Sequence, residues 1–162
     1  MLAITDQLTG LHNRRGFLTL AEQQLKLADR TKKRLLLFFA DLDGMKWIND
    51  TLGHKEGDNA LTEVAEILKE TFRVSDIIAR VGGDEFVVLA IDIADLNADT
   101  HMDRLQDQIE MHNGQKNRKY RISLSVGYSC YDPGNPCSID ELMGQADKRM
   151  YEQKRSKKSC AG

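Results

Sequence analysis

Three acidic residues lie where predicted apolar strands end or begin. Asp41 follows the apolar run Leu35 to Ala40, and Asp84 and Glu85 follow the glycine pair Gly82-Gly83. An unpaired carboxylate at the end of a buried strand costs on the order of several kcal/mol unless a cation or hydrogen bonds compensate it. A hard divalent cation is the simplest compensation, and oxygen ligands without a nearby His or Cys favour magnesium or calcium over zinc. The alternative is that these acids only cap turns, as we expect of Asp43 beside Gly44.

The glycine pair also predicts the local structure around two of these acids. It separates two apolar segments, residues 76–81 and 84–91, with nothing else between them. This pattern predicts two strands joined by a tight two-residue hairpin, in which glycine supplies the positive φ that such turns need.

The other elements follow from apolar periodicity, helix caps and glycine stops. The predicted helices cover residues 13–28, 44–52, 58–72, 96–113 and 139–154, and the remaining strands cover 35–42 and 120–128. Because strands and helices alternate irregularly and at least one strand pair is antiparallel, we expect an α+β fold, a mixed sheet with helices packed on its faces.

Length and composition favour one ordinary soluble domain. The 162 residues carry a net charge of −2, with 41% hydrophobic and 30% charged residues, which favours neither a nucleic-acid partner nor a membrane surface. We interpret residues 1–5 as the remnant of a linker and the whole chain, 1–162, as a single domain. Three cysteines without a CxxC pair indicate a reducing compartment, so we expect a cytoplasmic domain, whether alone or within a membrane-bound or multidomain sensor.

A series of motifs, in a fixed order, covers nearly the whole chain. They are residues 6–14 (DQLTGLHNR), 39–43 (FADLD), 48–50 (IND), 53–58 (GHKEGD), 80–86 (RVGGDEF), 125–127 (SVG), and Ala146-Asp147 with Tyr151 and Lys154. In order and spacing they resemble the GGDEF family of diguanylate cyclases. The resemblance implies a palm-like, five-stranded sheet with a ferredoxin-like core. It also implies an enzyme that joins two GTP molecules into cyclic di-GMP.

The resemblance assigns the acids to a metal site with two Mg²⁺ ions, or Mn²⁺ in their place. It implies that Asp41, the backbone carbonyl of Leu42, and Asp84 hold the ions, and that Asp84 or Glu85 helps to deprotonate the attacking hydroxyl. The two acids cannot be told apart in that role.

The resemblance also implies a set of residues that bind GTP. Asn49 and Asp58 match the guanine readers, although Asp58 is also a good helix N-cap. Lys154 and Lys158 would bind the triphosphate, although the basic run 148–158 is otherwise typical of a solvated helix face. The remaining candidates are Lys46 and Arg80 for the phosphates, and Gly82 and Gly83 for close approach of the backbone to the nucleotide.

The chain departs from the family pattern in two places. Met45 stands where Phe is usual, and Lys157-Lys158-Ser159 replaces the usual Gly-Arg-Asn. Neither change removes an implied metal ligand, so we expect an effect on affinity rather than on chemistry.

Arg73 and Asp76 form an RxxD pair five residues before the glycines. By itself the pair indicates a helix end with a cation near the dipole. The resemblance instead implies an inhibitory site for the product, with Arg104 as a candidate second arginine.

The implied reaction also sets the expected partners. Each domain offers one GTP half-site and the product is two-fold symmetric, so we expect a transient homodimer and an absent N-terminal sensory or dimerisation module. One alternative is a non-catalytic receptor for GTP or cyclic di-GMP, which the three acids disfavour. Another is an enzyme for a mixed guanine–adenine product, which Asp58 disfavours.

Overall fold

The computed structural model describes residues 3–91 and 97–161. The elements in chain order are α1 (Arg14–Thr31), β1 (Leu35–Leu42), α2 (Met45–Leu52), α3 (His54–Thr71), β2 (Ile77–Arg80), β3 (Glu85–Ala90), α4 (Ala98–Asn113), β4 (Leu124–Tyr131) and α5 (Ile139–Ala161). Among the helices of the described residues, none has the length and apolar character that crossing a bilayer requires.

The four strands form one sheet in the order β2-β3-β1-β4. Every pair of neighbours in this sheet is antiparallel. The β1-α-β2-β3-α-β4 sequence with this strand order is the ferredoxin-like arrangement, so the α+β class and the core are confirmed. The expectations of a fifth strand and of a mixed sheet are wrong for the part of the chain that the structure describes.

Helices cover both faces of the sheet, and β1 is buried along its whole length. Its even-numbered side chains pack with α2, α3 and α4, and its odd-numbered apolar side chains pack with α1 and α5. Because side chains alternate along a strand, Asp41 continues the odd-numbered row and faces the α1/α5 side. This alternation decides which helix can reach the acid.

Strand β4 begins four residues and ends three residues further along the chain than the predicted strand, 120–128. Leu124 pairs with Leu42, the last residue of β1, and the N–H of Asp43 donates to the Ser123 carbonyl at 2.8 Å, so residues 120–122 of the predicted strand lie outside the ladder. The backbone of Ile122 is bonded instead to the side chain of Asn113, at the end of α4. Sequence periodicity cannot reveal this competition because it depends on a residue of another element.

Several helix bounds also differ from the predicted ones, and α1 ends at Thr31 rather than at residue 28. Helix α3 begins at His54 after Gly53, so the interpretation of Asp58 as its N-cap is wrong. Helix α5 begins at Ile139 as predicted but continues to Ala161. The predicted start of α4 at Leu96 lies outside the described residues.

The connection between β2 and β3 is wider than a two-residue hairpin. The N–H of Val81 donates to the carbonyl of Glu85 at 2.9 Å, which leaves residues 82–84 as the turn. Among the described glycines, those with positive φ are Gly10, Gly44 and Gly53, so the expected positive φ at Gly82 and Gly83 is wrong.

Candidate active site

The sheet brings the three predicted acids to one place. Asp41 and Glu85 are direct cross-strand neighbours, and the N–H of Leu42 donates to the carbonyl of Asp84 at 3.0 Å. Like charges that face each other across strands repel, so a bare cluster of this kind is unfavourable unless cations neutralise it. The Leu42 backbone is part of the cluster, while its side chain is buried in the core.

Asp41 is the most buried acid of the cluster, at 7% exposure. Burial raises the pKa of its carboxyl to about 6; the hydrogen bond from Lys154 opposes this shift and the charge of Asp84 adds to it. Its Oδ2 accepts from Lys154 Nζ at 2.6 Å, whereas its buried Oδ1 has no partner among the described residues. An unpaired buried carboxylate oxygen costs on the order of 1–3 kcal/mol or more, which a bound cation would remove.

Glu85 lies between further charges. Burial raises the pKa of its carboxyl, and Asp147 of α5 and Asp84 raise it further, while Arg14 and Lys154 act in the opposite direction. Its side chain rests against Gly82, where a methyl group would overlap the Glu85 carboxylate. Gly82 therefore provides space rather than an unusual backbone angle.

Arg80 binds the backbone of the glycine turn. Its guanidinium donates to the carbonyl of Gly83 from Nε at 3.1 Å and from the second terminal nitrogen at 2.8 Å. The first terminal nitrogen donates to Asp6 at 3.1 Å. These bonds tie the turn to the segment before α1, so Arg80 holds the glycine loop in place. Gly83 has open space where a side chain would stand.

The predicted guanine readers lie on α2 and α3. The Oδ1 of Asn49 is buried and has no hydrogen-bond partner within the described residues. It approaches Gly57 so closely that a methyl group there would overlap it. Asp58, the next residue, is exposed, and so is Lys46 of α2. Lys158 is exposed one turn beyond Lys154.

The RxxD pair lies away from these acids, at the end of α3. Arg73 and Asp76 line a cavity of about 340 Å³. Asp76 already accepts from the N–H of Arg73 at 2.9 Å and from the N–H of Ile91 at 3.0 Å. Arg104 does not line this cavity; its guanidinium lies 3.4 Å from His101 on α4.

Sequence reasoning did not assign three charged residues of the site. Asp147 and Arg14 both act on the pKa of Glu85, and both stand inside motifs that carry the family resemblance. Asp43, expected to cap a turn, instead accepts from Ser123 at 2.8 Å, from Ser125 at 2.7 Å and from Lys157 at 2.9 Å. The spacing of seven between Asp147 and Lys154 on one helix face was the signal available for Asp147.

The donor set fits a hard divalent cation. Within residues 3–91 and 97–161, no three His, Cys, Asp or Glu side chains form a metal-binding cluster. The expected set needs only two carboxylates and one carbonyl, and the structure offers these in Asp41, Asp84 and Leu42. The unpartnered Oδ1 of Asp41 is the observation that supports the fit.

The fold and the site define an α+β domain with an acidic cluster beside a glycine turn. The family model "Diguanylate cyclase, GGDEF domain" matches residues 3–160, and the chain belongs to this family.

Named relatives and a solved structure are similar along most of the chain. The bifunctional diguanylate cyclase/cyclic di-GMP phosphodiesterase MucR of Pseudomonas aeruginosa is 40% identical over 94% of this chain, which spans 22% of that protein. The diguanylate cyclase DgcP of Escherichia coli is 35% identical over 94% of this chain and 45% of its own length. The GGDEF domain of DgcB from Caulobacter crescentus, solved with c-di-GMP, is 27% identical, with a TM-score of 0.84 over 96% of this chain and 92% of that one.

Proposed function

We propose that this chain condenses two molecules of GTP into cyclic di-GMP and releases two pyrophosphates. Family membership and the names of MucR and DgcP support this activity. The structural observation that carries it is the buried Asp41 carboxylate beside Asp84, with one oxygen unpartnered within the described residues.

The reaction consists of two equivalent half-reactions. In each, the 3′-oxygen of one GTP bonds to the α-phosphorus of the other, and the bond from that phosphorus to the pyrophosphate oxygen breaks. The proton of the 3′-hydroxyl passes to the carboxylate of Asp84 or Glu85. Two hydroxyls react and two pyrophosphates leave, so the atoms balance.

The chain supplies charge and orientation to this reaction. Asp41, Asp84 and the Leu42 carbonyl would hold two Mg²⁺ ions, which neutralise phosphate charge when bound. Lys154 stands at the cluster and can contact the triphosphate, with Lys158 one turn further along α5. The acids alone would repel the negative charge of the triphosphate, and an ammonium at this position offsets that repulsion.

Asn49 and Asp58 would recognise the guanine base of GTP. The buried Oδ1 of Asn49 has an unused acceptor, and guanine presents N–H donors that adenine lacks at the corresponding positions. Because Gly57 has no side chain, it leaves room for this oxygen. A base that donates to this oxygen would remove the cost of leaving it unpaired.

The symmetry of the product requires two domains. Each chain has one such cluster among the residues described above, so two chains that face each other about a two-fold axis would place both reacting groups. We therefore propose a transient homodimer as the active species.

Feedback inhibition is proposed at Arg73 and Asp76, with Arg104 as a candidate further contact. The structure of DgcB with c-di-GMP and the cavity beside Arg73 support this proposal. We expect cyclic di-GMP to inhibit the wild-type protein and to inhibit Arg73→Ala at least about tenfold less strongly, because a guanidinium bonded to phosphate or guanine contributes on the order of 1.5–3 kcal/mol. The measurement is initial rate against added product, and unchanged inhibition in Arg73→Ala would reject the site.

The activity is tested by chromatography of nucleotides after incubation with GTP and Mg²⁺ at high protein concentration. Asp84→Asn keeps the size of the side chain and removes its charge, and the matched control is Asp107→Asn on the exposed face of α4. We expect cyclic di-GMP from the wild type and the control, and none from Asp84→Asn. If the protein binds GTP but makes no product even when a coiled coil is fused to force dimers, the receptor function replaces the proposed one.

A further inference from the structure

Helix α5 lies along the outer edge of β4, the last strand of the sheet. The inner edge of β4 pairs with β1, and an outer edge normally presents unpaired N–H and C=O groups at every second residue. Three side chains of α5 bond to these groups: Arg149 donates to the Tyr128 carbonyl at 2.6 Å, Gln153 accepts from the Val126 N–H at 2.5 Å, and Lys157 donates to the Leu124 carbonyl at 2.7 Å.

These three contacts, here called the edge ladder, have matching periods on the two elements. The side chains are four residues apart on α5, and their partners are two residues apart on β4 in the opposite direction. Four helical residues rise about 6.0 Å and two strand residues advance about 6.8 Å. One row of helix side chains can therefore follow the strand over three contacts, and a shift of α5 along β4 would break all of them.

Gly127 lets the helix lie directly on this strand. A methyl group there would overlap the backbone of α5 at Ala146, Arg149 and Met150. The close approach fixes the distance between the two elements, while the edge ladder fixes their register.

The middle contact of the ladder is adjacent to the active-site contact. Gln153 directly precedes Lys154, and Val126 directly follows Ser125, which is the cross-strand neighbour of Asp41. The Gln153–Val126 bond therefore lies one residue from Lys154 along α5 and one residue from Ser125, the neighbour of Asp41, along β4. A lysine has a long, flexible side chain, so the position of its ammonium depends on how firmly the helix backbone is held.

We propose that Gln153 is a positioning residue that, with Arg149 and Lys157, holds Lys154 at Asp41 and at the phosphates of the nucleotide. The phosphate part of this inference rests on the proposed function. Lys157 also donates to Asp43 at 2.9 Å, so the same ladder joins α5 to the end of β1. By the family resemblance, Lys157 stands where glycine is usual, and glycine has no side chain to make this contact.

Binding measurements without turnover test the proposal. The probe is guanosine 5′-(α,β-methylene)triphosphate with Mg²⁺, in which pyrophosphate cannot leave, and guanosine serves as the probe without phosphates. Gln153→Met keeps the side-chain length and removes the acceptor. We expect it to weaken binding of the triphosphate by about threefold to tenfold, the range that one net hydrogen bond supports, and to leave guanosine binding unchanged.

A double-mutant cycle separates positioning from general loss of structure. In the Lys154→Ala background, Gln153→Met should have no further effect on triphosphate affinity, because no ammonium remains to be positioned. Gln145→Met, the same change on an exposed position of α5, is the control and should change neither affinity. Arg149→Met removes another contact of the edge ladder and should give the same pattern. It replaces Gln153→Met if that variant folds poorly.

The outcomes distinguish this inference from the proposed function. If Lys154→Ala leaves triphosphate affinity unchanged, Lys154 does not bind phosphate, and both the phosphate role and the inference are rejected. Suppose that Lys154→Ala weakens triphosphate binding but the ladder variants do not; then only the positioning inference is overturned. The same holds if the ladder variants weaken binding as much in the Lys154→Ala background as in the wild type.

Discussion

At the scale of the residue, Asp41 and Asp43 have the same side chain but different surroundings, and the two carboxylates differ in their hydrogen-bond partners. Although burial opposes ionisation, bonds from Lys157, Ser125 and Ser123 lower the pKa of Asp43 below its usual value, so this carboxylate is satisfied by the protein. Within the described residues, Lys154 is the hydrogen-bond partner of the Asp41 carboxylate, whose pKa is raised. We therefore expect Asp43 to have a structural role and Asp41 to be the acid that binds a ligand.

Gly57 offers a test of the packing around the candidate guanine reader. Replacing a helical glycine with alanine normally stabilises a protein by about 0.5–1 kcal/mol. At Gly57 the new methyl group would overlap Asn49 Oδ1, so we expect Gly57→Ala to destabilise the protein by roughly 1–3 kcal/mol and to weaken GTP binding. The measurements are the thermal midpoint and GTP affinity.

Gly144 is the matched control for that prediction. It also lies in a helix, and a methyl group there would meet open space. Gly144→Ala should raise the thermal midpoint by about 2 °C without changing GTP affinity. A similar rise in Gly57→Ala would mean that Asn49 is not held against α3, and the assignment of its orphaned oxygen would fail.

At the scale of the element, His112 adds charged contacts to the packing of α4 on α3. The ring of His112 contacts Glu63 through Nδ1 at 2.9 Å and Glu70 through Nε2 at 3.3 Å. Arg118 also binds Glu63 at 2.7 Å. Burial lowers the pKa of His112, but the hydrogen bonds to the two glutamates raise it overall above its ordinary value. Both ring nitrogens face carboxylates, as expected for a protonated imidazolium that donates two hydrogen bonds.

This contact predicts a pH-dependent stability. A pKa that is raised on folding contributes stability that is complete below the unfolded value of about 6.5 and is lost as pH rises through the folded value. The thermal midpoint of the wild type should therefore exceed that of His112→Gln by more at pH 6 than at pH 9. Equal differences at the two pH values would show that the ring is not charged in the folded protein.

The same scale shows what the sequence predicts and what it does not. Strand β1 was predicted at its observed bounds because a fully apolar run between charged segments has few alternatives. The cluster of Asp41, Asp84 and Glu85 followed from the ends of the strands. The start of β4 depends on Asn113 binding Ile122, and the turn geometry depends on Glu85 and Arg80. These contacts join a side chain to the backbone across a loop or turn, and periodicity contains no information about them.

At the scale of the whole molecule, one chain provides half of the proposed reaction. The proposed half-site for GTP would combine the acidic cluster, Lys154 and the guanine candidates. If the active species is a dimer that forms weakly, product formation per mole of protein should rise with protein concentration rather than stay constant. Fusing a dimeric coiled coil to the N-terminus raises the effective concentration of the second domain to about the millimolar range when the linker spans the two sites.

The fused protein should therefore be more than about tenfold more active than the original chain at micromolar concentration, with a specific activity independent of dilution. The control is the same fusion with Asp84→Asn, which should pair equally well in sedimentation but make no cyclic di-GMP. A dilution-independent rate in the unfused, monomeric chain would contradict the dimer, because one half-site cannot present a second GTP. The fusion and the dilution series therefore both report the same quantity, the fraction of the protein that is dimeric.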